Sequence, residues 1–332
     1  MIISENNYIK KPYILLDWNV IKYLKSPRSN QSIDKDKECF RIIEQIGNKY
    51  AFPFCESHLL DLRQSYSQEN LERVNQDLKF LSSISKEVGL GIRENDGNLV
   101  LIKCSAVKEF NDLINVNDSN IDIPVKNVPQ HKFNIDMATL EESHPLYQML
   151  KENNGIYTPE IMASNLNEIF YKIFDEVDDY KNLRNIIPKL KETLTMQREY
   201  GIDKEMAVNL IEHMTPFINS MEIDSEDELV KIWKNVCTKY LGINGKVSVP
   251  YGELLTNAYI MLDLHPLFKE KLKKKNTLGN ITRDSKMVLY ASGAKYFVTE
   301  DGAAFKKMSF LFKAFNEQTK ILNMEMFIQK FS

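Results

Sequence analysis

The chain has 332 residues, of which 43% are hydrophobic and 27% charged, with a formal net charge of -3 and four cysteines. That balance excludes a disordered polymer, and the small negative charge gives no bulk attraction to nucleic acid, leaving only a local basic patch to supply one. Cys39, Cys55, Cys104 and Cys237 are scattered without a CxxC pair, which argues against a zinc knuckle or a disulfide framework. MIISENNYIKKPY has no apolar core ahead of a small-residue cleavage site, and no segment reaches the length of a membrane span. A cytoplasmic protein with no membrane partner is the expectation.

YILLD (13–17) reads as a short buried strand bounded by Pro12, running into a helix towards Leu24. Residues 36–46 carry Phe40, Ile42, Ile43 and Ile46 on a helical stripe that Gly47-Asn48 stops. YAFPF (50–54) suits a strand end because of Pro53, Ser57 is a candidate cap for a helix through HLLDLRQ, and residues 69–84 form a further helix. Such alternation is the pattern of parallel-sheet construction. GLGIREND reads as a Gly-rich turn before the strand NLVLIKC, and NVNDSNIDIPVKNVPQ as a loop. From about 145 to 240 the chain is mostly helix-like, interrupted by Pro188 and Pro216.

The C-terminal part returns to the first pattern. Helices are expected over YGELLTNAYIMLDL and ITRDSKMVLYASGA, then a strand KYFVTED, a helix AAFKKMSFLFKAF, and ILNMEMFIQKF as strand plus tail. The simplest organisation is one α/β domain made from 1–85 and 246–332, with a mainly helical insertion over 86–245.

Four carboxylates occupy comparable places on this map. Asp17 ends the first strand, Asp61 lies one turn beyond Ser57, Asp284 opens a helix, and Asp301 ends FVTED. Parallel strands joined by right-handed crossovers present their carboxyl ends on one edge, so these acids converge there. Gathered oxygens suit Mg²⁺ or Mn²⁺. Two other readings stay open: Asp17 or Asn19 as a helix cap, and Glu56 in place of Asp61. His58 shares a helical face with Asp61, either orienting that carboxylate or simply packed and hydrogen-bonded. Trp18 and Tyr290 read as packing residues.

LLDWNVIKYL, SHLLDL and RDSKMVLYASGAKYFVTED together resemble the acidic motifs of PIN-domain and PIN-like nucleases. The resemblance covers roughly 12–82 and 250–325. It implies a three-layer α/β/α sandwich with a central, mostly parallel sheet, interrupted here by an insertion longer than the family core. It also implies that Asp17, Asp61, Asp284 and Asp301 hold Mg²⁺ or Mn²⁺ and carry catalysis, with Asn19 and Thr299 beside them on the substrate side. The implied activity is endoribonuclease hydrolysis of RNA, with DNA as an alternative substrate. The family also includes toxin ribonucleases neutralised by partner proteins and relatives linked to phage defence, so the insertion is a candidate surface for a protein partner or inhibitor.

Acids without a histidine base or cysteine nucleophile point independently to metal-assisted hydrolysis at a site that suits phosphoryl chemistry. The rivals are a catalytically inactive RNA- or protein-binding module, and a haloacid-dehalogenase-type phosphatase. The latter is disfavoured because Asp17-Trp18-Asn19 replaces its DxD. A P-loop is absent. Lys269, Lys271, Lys273, Lys274 and Lys275 form the densest positive run, and Lys273, Lys274 and Lys275 are candidates to hold the RNA backbone.

Overall fold

The computed structural model describes residues 8–29, 33–93, 97–115, 132–139, 141–142, 147–187, 214–241, 249–269 and 277–332. In chain order, β1 (Tyr8–Ile9) and β2 (Ile14–Leu16) precede helices α1 (Trp18–Lys25) and α2 (Ile33–Ile46). An extended segment, 50–55, leads to α3 (Glu56–Gln64) and α4 (Leu71–Ser85), then to β3 (Val88–Ile92), β4 (Leu99–Lys103) and α5 (Ala106–Asn115). After β5 (Phe133–Asn134) come α6 (Tyr147–Glu152), β6 (Ile156–Tyr157), α7 (Pro159–Asp175) and α8 (Val177–Ile186). The remainder is α9 (Glu226–Leu241), α10 (Tyr251–Leu264), α11 (Leu278–Ser292), β7 (Tyr296–Val298), α12 (Gly302–Phe315), β8 (Lys320–Leu322) and α13 (Met324–Phe331). The fold is mixed α/β with a small parallel sheet.

That sheet grows from two wholly buried strands. All three residues of β2 and all three of β7 are buried, as expected for parallel strands covered on both faces. β7 pairs in parallel with β2 on one side and with β8 on the other. Beyond β2, isolated parallel bridges join Tyr13 to Ala51 and Phe54 to Gly89. Pro53 removes a donor between them, so YAFPF contributes bridges rather than a full strand. β3, β4 and β1 then continue antiparallel. Gly89 is needed because a Cβ there would meet the Cys104 sulfur at 2.6 Å and the Phe54 ring at 3.0 Å. The parallel segments thus lie in the spatial order β3, 50–55, β2, β7, β8. Chain order reverses between β2 and β7, which is where open α/β sheets bind ligands at the strands' carboxyl ends.

Three local expectations are corrected. GLGI is strand, not turn, pairing in a hairpin with β4. Ser57 is the second residue of α3 and buried, because the helix begins at Glu56, two residues earlier than expected, with Cys55 at its cap position. ILNMEMFIQKF gives strand only at its first two residues, the end of β8 (Lys320–Leu322), and α13 follows. Asn323 accepts from Met326 N at 2.7 Å and starts that helix, which buries Met324 and Phe327 at helical spacing.

The chain divides into two compact units, one of Met1–Asn115, Arg184–Lys271 and Asn280–Ser332, the other of Val116–Leu183 and Leu272–Gly279. The span 86–245 is therefore shared, with β3, β4, α5 and α9 in the larger unit. In the smaller unit β5 pairs antiparallel with β6, and Thr158 caps α7. Gly155 precedes β6 at φ +74°, and a Cβ there would meet the Ile135 carbonyl oxygen at 2.6 Å. The expected loop 115–130 lies outside the described residues from 116 onward, as do Lys271, Lys273, Lys274 and Lys275, and its first residue, Asn115, ends α5. Among the described residues no helix is long and apolar enough to cross a membrane, and all four cysteines are free.

Candidate functional site

The carboxyl end of β2 delivers Asp17 to the point where strand order reverses. Its N–H donates to the Val298 carbonyl at 2.8 Å, holding it level with the end of β7. Asp17 occupies the N-cap position of α1, yet its side chain caps nothing. Instead its Oδ2 accepts from the Thr299 hydroxyl at 2.8 Å. The helix-cap reading of Asp17 therefore fails.

Thr299 links two acids. Its oxygen donates to Asp17 and accepts from the Asp301 N–H at 3.0 Å. Thr299 is fully buried, and its hydroxyl is engaged in both directions with these two residues. Asp301 lies three residues beyond β7 and caps α12, its Oδ1 accepting from Ala303 N at 2.8 Å and Ala304 N at 3.0 Å.

Asp61 comes from the middle of α3, and Asp284 from α11. That helix begins at Leu278, so Asp284 stands in its second turn rather than at its start. These four aspartates and Asn19 line a single cleft of about 50 Å³, together with Ser57, Tyr259 and Arg283. Five separate stretches of sequence meet there.

The cleft's electrostatics follow from this crowding. Burial raises the Asp17 carboxyl, and the Asp301 charge adds to it, against the Thr299 hydrogen bond and Lys22. Asp61 is pushed up to about 6, by burial first and the Asp17 charge second, with Arg283 and Lys22 opposing. Each ionised acid thus disfavours the next, a repulsion that a bound cation relieves.

The neighbouring acids have other work. Glu56 pairs with Lys286 at 3.0 Å and accepts from Tyr290, so it does not replace Asp61. Glu300 binds Lys35 at 2.9 Å and Arg28 at 3.2 Å, and accepts from Met324 N. His58 is fully buried: Nδ1 accepts from Cys55 N at 3.1 Å and Nε2 donates to the Leu16 carbonyl at 2.7 Å. It is a packed, neutral histidine that ties α3 to the residue before Asp17. Trp18 is half-buried and lines a neighbouring groove with Asp61, so it is not wholly core.

Arg283 and Tyr259 were not anticipated as cleft residues. Arg283 adjoins Asp284 in sequence and shares its helix face with Met287, a signal that was legible. Tyr259 sits in the apolar run of α10, with its ring 5.5 Å from Lys307 Nζ, and nothing local distinguishes it from core.

Hard carboxylate oxygens fit a divalent cation such as Mg²⁺ or Mn²⁺. Among the described residues, though, no group of three or more His, Cys, Asp or Glu side chains is gathered closely enough to form a ready-made cage. Mg²⁺ needs no such cage, since it keeps several waters and is commonly bound through one or two carboxylates. No protein-family model, curated protein or solved structure matches the chain.

Proposed function

We propose that this chain is a metal-dependent nuclease of the PIN-like type, an endoribonuclease that hydrolyses RNA phosphodiesters. In this reading the helices and sheet form a three-layer α/β/α sandwich. The observation that carries it is the convergence of Asp17, Asp61, Asp284 and Asp301 on one cleft where strand order reverses. One or two of these carboxylates would bind Mg²⁺ or Mn²⁺ directly and the others would act through its waters; the ion would supply Lewis-acid stabilisation of charge on the phosphoryl oxygens.

The chain's own groups divide the remaining work. Thr299 fixes Asp17 relative to the start of α12, so two acids keep their spacing without substrate. Arg283, in the same cleft and hydrogen-bonded to Asn280, adds a positive charge beside the acids for a phosphate to meet. Asn19 adds a neutral donor and acceptor at the first turn of α1. No side chain is required to form a covalent intermediate.

Incubating the protein with labelled RNA and DNA, in Mn²⁺ or EDTA, tests this directly. RNA should be cut in Mn²⁺ only, and Asp17→Asn and Asp301→Asn should each lose at least a hundredfold in rate. Equal cleavage by wild type and both variants would overturn the assignment. The lack of a gathered cage among the described residues favours one second reading, a non-catalytic RNA- or protein-binding module. RNA binding with no turnover at any Mn²⁺ concentration would select it.

A further inference from the structure

A second depression abuts the acid cleft and shares Asp61 with it. It encloses about 550 Å³ and runs along α1, the end of α3 and the start of α4. Its cations are Lys22, Lys25 and Arg73, interleaved with Ser65, Gln76 and the indole of Trp18. We propose that this groove binds the sugar-phosphate backbone of single-stranded RNA and leads it to the four aspartates.

The charge arrangement supports this in a chain whose net charge is -3. Lys25 is already paired with Asp77 at 2.5 Å. Lys22 and Arg73 are exposed and make no ion pair or hydrogen bond among the described residues. Both are therefore available to phosphates without breaking an existing contact. Lys22 also lies close enough to Asp17 and Asp61 to favour their charged forms, which places it at the junction of groove and cleft.

The remaining side chains suit a nucleic acid strand better than a peptide. Only Trp18 and Leu62 are apolar among those lining the groove, so an amphipathic helix finds no hydrophobic seam. Ser65 and Gln76 offer neutral hydrogen bonds to sugar and phosphate oxygens. The half-buried indole of Trp18 offers a platform on which any base can stack. α1 thus carries both sites: its cap residue Asp17 and Asn19 on the cleft, Trp18 and Lys22 on the groove.

This inference rests on the hydrolase reading for the identity of the strand, and the test separates the two. The full chain carrying Asp17→Asn is titrated in EDTA against a labelled single-stranded RNA of about 12 nucleotides, by fluorescence anisotropy at several salt concentrations. Adding Lys22→Glu and Arg73→Glu should weaken binding at least tenfold. Removing two phosphate contacts should also lower the salt slope by about 1.4, at about 0.7 per contact. Lys22→Arg with Arg73→Lys should restore both. Trp233 is fully buried, so RNA-dependent quenching of intrinsic fluorescence should vanish in Trp18→Phe. Unchanged affinity and slope in the double glutamate variant, or no RNA binding by the parent, overturns the groove. Cleavage by wild type alongside that unchanged slope leaves the hydrolase reading standing. Binding that depends on Lys22 and Arg73 in a chain that never cleaves keeps the groove and removes the hydrolase.

Discussion

Asp61→Asn should make the metal-free protein more stable, and the effect should follow pH in a defined way. The folded carboxyl sits at about 6 against an ordinary 3.8, raised by burial and then by Asp17. A carboxyl raised on folding disfavours the folded state wherever it is ionised, so its penalty is full above about 6 and absent below about 3.8. The rise corresponds to about 3 kcal/mol at ~1.36 kcal/mol per pH unit, and solvent access at this half-buried group reduces the expected gain to about 1–2 kcal/mol. Thermal unfolding in EDTA at pH 7.5 should show a rise of about 2–4 °C, with about half of it remaining at pH 5. Saturating Mn²⁺ should then reverse the order. A ligand at a hundred times its Kd stabilises the wild type by ~2.7 kcal/mol, and the variant, short of one carboxylate, gains less. Equal melting in EDTA at pH 7.5, or a gain that Mn²⁺ leaves untouched, would refute the repulsion argument and the cation site with it.

Thr299→Val should cost about 1–3 kcal/mol in urea unfolding, because it removes the buried hydroxyl that donates to Asp17 and accepts from Asp301 N, and it should weaken Mn²⁺ binding by calorimetry, while Thr299→Ser recovers most of both. His58 behaves oppositely to Asp61: burial lowers it to about 4, so its contribution is complete above about 6.5 and fades as pH falls towards 4. The gap in urea midpoint between wild type and His58→Gln should accordingly be widest at pH 7.5, with the variant the less stable, and should narrow between pH 6.5 and 5. Glu300→Gln should lose about 1–2 kcal/mol by loosening Arg28 and Lys35, yet bind Mn²⁺ like the wild type. A large loss of metal affinity in that variant would make Glu300 part of the site after all.

The sequence by itself determined the parts whose signal is local. Ile14-Leu15-Leu16 and Tyr296-Phe297-Val298 are apolar runs too short for helices, and each is followed within three residues by an acid, so strand-end carboxylates were legible as Asp17 and Asp301. Periodicity likewise marked α2, α4 and α12. Where two local signals compete, tertiary packing decided: Met324 and Phe327 bury one helical face, although their run also reads as strand. Only the folded chain shows that Asp17 leaves its helix uncapped because Thr299 holds the carboxylate, since those residues are 282 positions apart. The same holds for neighbours with opposite fates. Glu300 joins Arg28 and Lys35 while Asp301 lines the cleft, because successive residues after a strand point to different sides and long-range partners choose between them. Strand order is beyond local reading for that reason too. Hydrogen bonds between Ile14 and Ala51, and between Phe54 and Leu90, join segments that carry no complementary sequence code, and they place the reversal beside Asp17.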